Sequence, residues 1–300
     1  MATTLSKLQR RRAGFAYLMI APGAILLLVF TLFPIVYGLP LAFTNYSAVD
    51  TTKWVGMKNF HRAFGDPDFL VALKNSLLYV VVVPIIQLLA ILMAVLVNTR
   101  LKFVSLFRTA YFIPVVTSMA AAAIAWKWMY EEKGILNYIL RSLGLIRQDI
   151  AFMVEPSLAL AGVMLVTVWK GLGYYMMIYL AGLQSIPAEL TEAAKIDGAN
   201  RWQVIRRITI PLLMPFVLLC SLLSVMGAIR VFDEIFVMHG PKGDPVNSTL
   251  VTSVYTYKVA FQDFDFGYAA AIGLVVALII LVFSVLMFRY TRRGGLTYYE

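Results

Sequence analysis

Six long apolar runs, at about 15–38, 71–98, 109–129, 158–184, 211–231 and 266–288, leave this chain few ways to fold. Each is near the roughly 20 residues that cross a bilayer core as a helix. Inside hydrocarbon a backbone must satisfy its own hydrogen bonds, and single segments of this length do so as helices. The chain is 61% hydrophobic and only 14% charged, against about 25% charged in soluble domains. The expectation is an all-α integral membrane protein with six transmembrane helices. Residues 1–14 and 290–300 read as tails, and 15–289 as one transmembrane domain.

Lys7, Arg10, Arg11 and Arg12 precede the first run much as a basic region precedes the core of a secretory signal. The uncharged stretch Ala13–Val49 is too long for a signal and lacks a small-residue cleavage site, so it reads as an uncleaved first span. An even number of spans puts both termini on one side. Lys and Arg are densest in the tails and in the loops 99–108 and 185–210, which makes that side cytoplasmic. The net charge of +10 is concentrated there. It is therefore orientation chemistry, with anionic membrane lipid as an incidental partner and no nucleic acid. Cys220 lies in the fifth run and, as the only cysteine, forms no internal disulfide.

Between the fourth and fifth runs stands a charged island, Ser185–Pro215. Pro187 suits the start of a helix, where the first N–H groups have no intrahelical partner. Gly198 suits its end, and Asn200 followed by Gln203 has the spacing of a capping box for a second helix. The first helix offers Leu190, Ala193, Ala194 and Ile196 flanked by Glu189, Glu192 and Lys195, a low apolar surface fit for a groove on another protein. The second carries Trp202, Ile205 and Ile208 at helical spacing, away from Arg201, Arg206 and Arg207, and Pro211 and Pro215 mark entry to the next span. On pattern alone an amphipathic loop lying at the lipid headgroups fits as well.

The strings Glu192-Ala193-Ala194 and Asp197-Gly198-Ala199, with Ile208, Pro211 and Pro215 beyond, resemble the EAA loop of the membrane subunits of ATP-binding-cassette importers. Ile210 stands where that family usually has leucine. The resemblance implies that 185–210 is a cytoplasmic coupling loop that docks into an ATPase subunit. The order Val55-Gly56-Met57-Lys58-Asn59-Phe60, then Phe69 and Asn75, is similar to the start of sugar-importing permeases of the maltose and glycerol-phosphate type. That likeness runs from about Tyr17 to Arg289 and lacks the large extra outer domain of the maltose permease.

The fourth run contains Thr167-Val168-Trp169-Lys170-Gly171-Leu172-Gly173-Tyr174-Tyr175. A lysine here faces a partner or a wet cavity, or snorkels to the interface. Glycines make room, and Trp169 and Tyr174 offer flat faces with polar tips, suited to a sugar ring or to an interfacial belt. In the maltose permease the matching stretch lines the sugar site, which implies Thr167, Gly171 and Tyr174 as candidates, with Thr117 and Ser118 from the third span and Gly227 and Ala228 from the fifth. That permease has asparagine at the place of Thr167 and an apolar residue at Lys170, so the same sugar is not implied.

Asp233, Glu234 and His239 read as an outer loop after the fifth span, the lone histidine solvated and without a set of metal ligands. The family has a glycine-proline turn and an Asn-Ser-Thr run here, facing an external binding protein; Gly240-Pro241 and Asn247-Ser248-Thr249 match it, with Lys242-Gly243 inserted. Ala269, Gly273 and Ala277 form a small-residue ridge for close helix packing, within the chain or against a second membrane subunit.

No glycine is followed directly by lysine, so no phosphate-binding loop is present and the chain reads as non-catalytic. The resemblance implies a bacterial cytoplasmic (inner) membrane permease for a sugar or polyol that works by alternating access. Its implied partners are a second permease, two ATPase subunits that bind the ATP and Mg, and an external solute-binding protein; no cofactor or metal belongs to this chain. The competing reading is a self-sufficient secondary carrier or channel, which calls for carboxylates inside the spans or an inverted repeat. Neither is legible. A membrane enzyme would need clustered acid, base or metal groups, and His61 and His239 stand isolated.

Overall fold

The computed structural model describes residues 7–47, 51–98 and 104–294. Residues 1–6 and 295–300 of the predicted tails (1–14 and 290–300) and residues 99–103, half of the predicted loop 99–108, lie outside the described residues. The helices are α1 Lys7–Leu27, α2 Phe33–Leu41, α3 Lys58–Gly65, α4 Pro67–Tyr79, α5 Val82–Val97, α6 Val104–Val116, α7 Met119–Met129, α8 Ile135–Ser142, α9 Pro156–Ser185, α10 Ala188–Ile196, α11 Arg201–Val204, α12 Ile210–Ile229, α13 Asp233–His239, α14 Thr252–Phe261 and α15 Phe266–Gly294. Extended pairing among the described residues is limited to a bridge between Thr44 and Trp54.

Among the described residues five helical runs are long and apolar enough to cross a membrane: Arg12–Leu41, Pro67–Val97, Pro156–Ser185, Arg201–His239 and Phe266–Arg289. The third predicted span is different. Ser105–Val116 and Met119–Met129 meet at 99°, the geometry of a broken span or a re-entrant loop rather than of a straight helix. Pro114, just before the bend, signals a kink in this span, but the apolar composition is continuous across it and gives no sign of its sharpness.

Proline explains three other local departures. A proline ring collides with the carbonyl four residues earlier and brings no N–H of its own. Turns of π-helix at Leu28–Leu32 and Ile205–Thr209 each end two residues before a proline, Pro34 and Pro211. Opening the turn gives the ring its space while the helix continues. Pro84 stands four residues after Val80, where α4 gives way to α5. The helix begun at Arg201 therefore does not stop before the fifth span; it runs straight into it.

Two clusters make the core. One joins α3, α4, α9, α13, α14 and α15 around Phe60, Phe69, Tyr79, Val163, Ile235, Tyr255, Tyr268 and Ile272. The other, toward the α10–α11 corner, gathers Ala90, Ala94, Met176, Tyr179, Leu183, Leu213 and Cys220. A polar knot ties this second cluster together: Gln87 Nε2 donates to Ser224 Oγ at 2.8 Å, and the Tyr179 hydroxyl donates to Gln87 Oε1. Of the first span, α2 packs on α15, whereas the apolar side chains from Phe15 to Phe33 stand largely exposed.

The opposite end is a folded cap. Asn59 Nδ2 donates to the carbonyls of Ala42 and Thr44 at 3.0 and 2.8 Å, and Asn75 Nδ2 is shared among the carbonyls of Asn247, Ser248 and Leu250. Asp66 caps α4 and accepts from the hydroxyls of Tyr255 and Tyr268 at 2.5 and 2.7 Å. Burial alone would raise its carboxyl, but those hydroxyls and the N–H groups of Phe69 and Asp68 prevail and hold it below its ordinary value. Arg62 pairs with Asp265 at 2.6 Å and covers the Tyr268 ring.

Candidate functional site

The fourth span, α9, is the spine of the bundle, packed against α5, α6 and α12. Its glycines set the spacing. A Cβ on Gly173 would sit 1.9 Å from the Tyr111 carbonyl oxygen, so α6 can cross α9 only where a side chain is missing. Gly182 plays the same part against Phe216 and Leu213 of α12.

One turn before Gly173, Lys170 reaches the end of α6. Its Nζ donates to the Pro114 carbonyl at 2.9 Å and to that of Thr117. The last carbonyls of a helix have no intrahelical donors, and a cation there answers both the orphan oxygens and the dipole. On the far side of the break Ser118 takes extended geometry and its Oγ accepts from Ala121 N at 3.2 Å, starting α7. Lys170 and Ser118 thus hold the bend from both sides.

Beside this bend lies a cavity of about 320 Å³, lined by Val82, Val83, Ile86, Val115, Met119, Thr167, Lys170, Gly171, Tyr174, Tyr175, Ser224, Gly227 and Ala228. It is an apolar chamber with a few convergent polar groups, the usual make-up of a small-molecule site. Six of the candidates drawn from sequence, Thr167, Lys170, Gly171, Tyr174, Gly227 and Ala228, meet here. Three do not line it. Trp169 packs edge-on against Trp126, the Thr117 hydroxyl turns back to the Ile113 carbonyl at 3.1 Å, and Ser118 is committed to its cap. Trp169 precedes Lys170 by one residue and so points about 100° away from it around the helix.

The structure also corrects the reading of residues 231–239. After a short non-helical step at Val231–Phe232 the chain returns to helix in α13, and Glu234 and His239 are buried, each 7% exposed, rather than solvated. Glu234 Oε1 accepts from the Thr167 hydroxyl at 2.9 Å, and the Tyr79 hydroxyl meets Thr167 Oγ1 at 2.6 Å. A carboxylate therefore does lie within the helical bundle. Nothing in its sequence neighbourhood announces it: an acid close behind Arg230 looks like a solvated span end. His239 Nε2 has no hydrogen-bond partner, and the described residues contain no group of metal-binding side chains.

The corner at 185–210 has the capped form its sequence suggests. Asn200 Oδ1 accepts from Gln203 N at 2.9 Å while Gln203 Oε1 accepts from Asn200 N at 2.8 Å, and Gly198 takes φ +82°. Pro187 is the residue just before α10 rather than its first turn. Leu190, Ile196 and Trp202 are 45%, 87% and 66% exposed. Glu192, Ala193, Asp197 and Gly198 are exposed as well, with Ala194 and Ala199 half-buried.

A second opening, about 600 Å³, lies on the flank between α12, α14 and α15, with Gly273 and Ala277 in its wall. A Cβ on Gly273 would meet nothing within 4 Å, so this part of the small-residue ridge is not used for packing inside the chain.

Residues 70–293, from α4 through most of α15, match the model of the binding-protein-dependent transport system inner membrane component family. The chain belongs to that family. It is a multi-pass inner-membrane protein, and its relatives are transport permeases. The lactose transport system permease LacF of Rhizobium radiobacter is 36% identical over 97% of this chain and 99% of its own length. The arabinooligosaccharide transport permease AraP of Halalkalibacterium halodurans is 34% identical over 90% of this chain and 85% of its own. Among solved structures, a chain of a bacterial ABC transporter involved in import of the acidic polysaccharide alginate superposes with a TM-score of 0.81, at 26% identity, covering 94% of this chain and 96% of that one. The same transporter has been solved in complex with an alginate-bound periplasmic protein.

Proposed function

We propose that this permease carries a sugar or short oligosaccharide inward across the cytoplasmic membrane by ATP-driven alternating access. Its relatives named for lactose and arabinooligosaccharides support the substrate class, with related polyols within it. The transmembrane domain is 15–289, both tails are cytoplasmic, and Glu192, Ala193, Ala194, Asp197, Gly198 and Ala199 form the contact with an ATPase subunit. A second permease, two ATPase subunits that hold the ATP and Mg, and an external solute-binding protein complete the importer.

The observation that carries this reading is the continuity from corner to cavity. α10 and α11 present Leu190, Ile196 and Trp202 outward from a corner braced by a capping box. They join α9, which bears Thr167, Lys170 and Tyr174, to α12, which bears Gly227 and Ala228. A push on the corner is thereby delivered to two walls of the cavity. The substrate stacks on Tyr174, with Thr167 and Lys170 as its polar contacts. Differential contacts in the inward- and outward-facing states supply the coupling.

Buried Glu234 is the one feature that favours a second reading, a secondary carrier coupled to an ion. One experiment separates the two: co-purification with the candidate ATPase in detergent, comparing wild type with Gly198→Asp and Glu192→Lys. The importer reading expects wild type to retain the ATPase and the corner variants to lose it or to uncouple ATP turnover from uptake. Wild type that holds no ATPase and moves solute alone in liposomes would overturn it.

A further inference from the structure

We propose that Glu234 is a positioning residue for the sugar: by accepting the hydrogen bond of the Thr167 hydroxyl it leaves Thr167 a hydrogen-bond acceptor toward the cavity, so the site selects a substrate hydroxyl that donates there. This rests on the permease reading above and adds a residue and a rule of selectivity to it.

Thr167 Oγ1 has one hydrogen and two lone pairs. As a carboxylate Glu234 can only accept, so Thr167 donates its hydrogen to Oε1 at 2.9 Å rather than to the Val163 carbonyl at 3.5 Å or to the Tyr79 hydroxyl, which has a hydrogen of its own to turn. The Tyr79 hydroxyl lies 2.6 Å from the same oxygen, and with the threonine hydrogen already committed Tyr79 must be the donor of that bond. One lone pair remains on Thr167, which lines the cavity. Tyr79 is fully buried and Glu234 is 7% exposed, so water does not compete for either end of the relay. One turn further along the same face of α9 the Lys170 ammonium, largely bound to carbonyls, offers the opposite sense, a donor. A sugar hydroxyl can donate to Thr167, whereas a methoxy group at that place brings two acceptors face to face and leaves the Thr167 lone pair unpaired in an apolar chamber.

The test is uptake by the reconstituted importer, with both permeases, the ATPases and the binding protein, of whichever of lactose and an arabinooligosaccharide it carries better, and of that sugar's mono-O-methyl ethers. Wild type is expected to reject one ether by about tenfold or more relative to the parent in kcat/KM. Glu234→Gln lets the amide donate to Thr167 and frees the threonine hydrogen to turn into the cavity, and Glu234→Asp withdraws the acceptor by one methylene. In both, the parent-to-ether ratio is expected to collapse toward one, mainly through KM. Tyr79→Phe leaves the Thr167–Glu234 bond in place and should retain the ratio, which keeps the test open if the Glu234 variants do not assemble. A ratio unchanged in both Glu234 variants while all uptake falls in parallel would make the residue merely structural and overturn the proposal, as would loss of the ratio in Tyr79→Phe or wild type that takes up every ether as well as the parent. Absence of ATP-dependent uptake of every sugar by wild type is a different result, and it would sink the importer reading itself.

Discussion

Gly173→Ala is the sharpest single perturbation the structure offers. The new methyl would lie 1.9 Å from the Tyr111 carbonyl oxygen, where a carbon–oxygen contact of about 3.3–3.6 Å is normal. Backbone faces backbone, so no rotamer relieves the clash, and α6 must retreat from α9 by about 1.5 Å. That shift stretches the 2.9 Å bond from Lys170 to the Pro114 carbonyl beyond hydrogen-bond range. Overpacking costs about 1–3 kcal/mol, and losing a charge-assisted bond adds about 1.5–3 kcal/mol. A total of about 3–6 kcal/mol corresponds to a fall in melting temperature of about 6–12 °C, taking the low end, about 2 °C per kcal/mol, of the scale for mid-sized domains. Gly171→Ala is the control, because its nearest neighbour is the mobile Ile86 Cδ1 at 3.2 Å. It should shift the melting temperature by about 2 °C or less, taking about 0.5 kcal/mol as its cost, while changing uptake through the cavity it lines. Both are read by thermal unfolding of purified protein in detergent. Equal melting temperatures for the two variants would refute the close crossing and the reasoning built on it.

Lys170→Met should leave the carbonyls of Pro114 and Thr117 without their cation; a loss of about 2 kcal/mol with altered sugar affinity is expected, and unchanged uptake kinetics across several sugars would remove Lys170 from the site. Asp66 has a folded value below its unfolded one, so it contributes stability above about pH 4 and loses that contribution as pH falls through the folded value. The melting-temperature gap between wild type and Asp66→Asn should accordingly be widest near neutrality and shrink in acid, and a gap constant from neutrality into acid would contradict the account. Asn75→Ala should free residues 247–250 at a cost of about 1–2 kcal/mol, seen as faster amide exchange in that segment; unaltered exchange would show that the loop is pinned by other means.

Much of the architecture was legible because hydrocarbon admits so few solutions. The apolar runs, the capped corner at Gly198–Gln203 and the convergence of Thr167, Lys170, Gly171 and Tyr174 with Gly227 and Ala228 all follow from patterns local to one helix or from a family likeness. What stayed hidden depends on contacts between segments far apart in sequence. The break at Thr117–Ser118 needed Lys170, fifty residues on, to satisfy the freed carbonyls. Glu234 looked like a solvated acid because its partner, Thr167, lies in another span. Trp169 shares a sequence neighbourhood with the cavity residues but not their helix face, packing instead on Trp126.

The central claim is that ATP hydrolysis by partner subunits drives sugar through this permease. Its most direct test is labelled-sugar uptake into proteoliposomes holding the complete complex, with the binding protein outside and ATP inside. The account predicts uptake that requires both and stops when either is withheld. Uptake by this chain alone, driven by an ion gradient and indifferent to ATP, would contradict it.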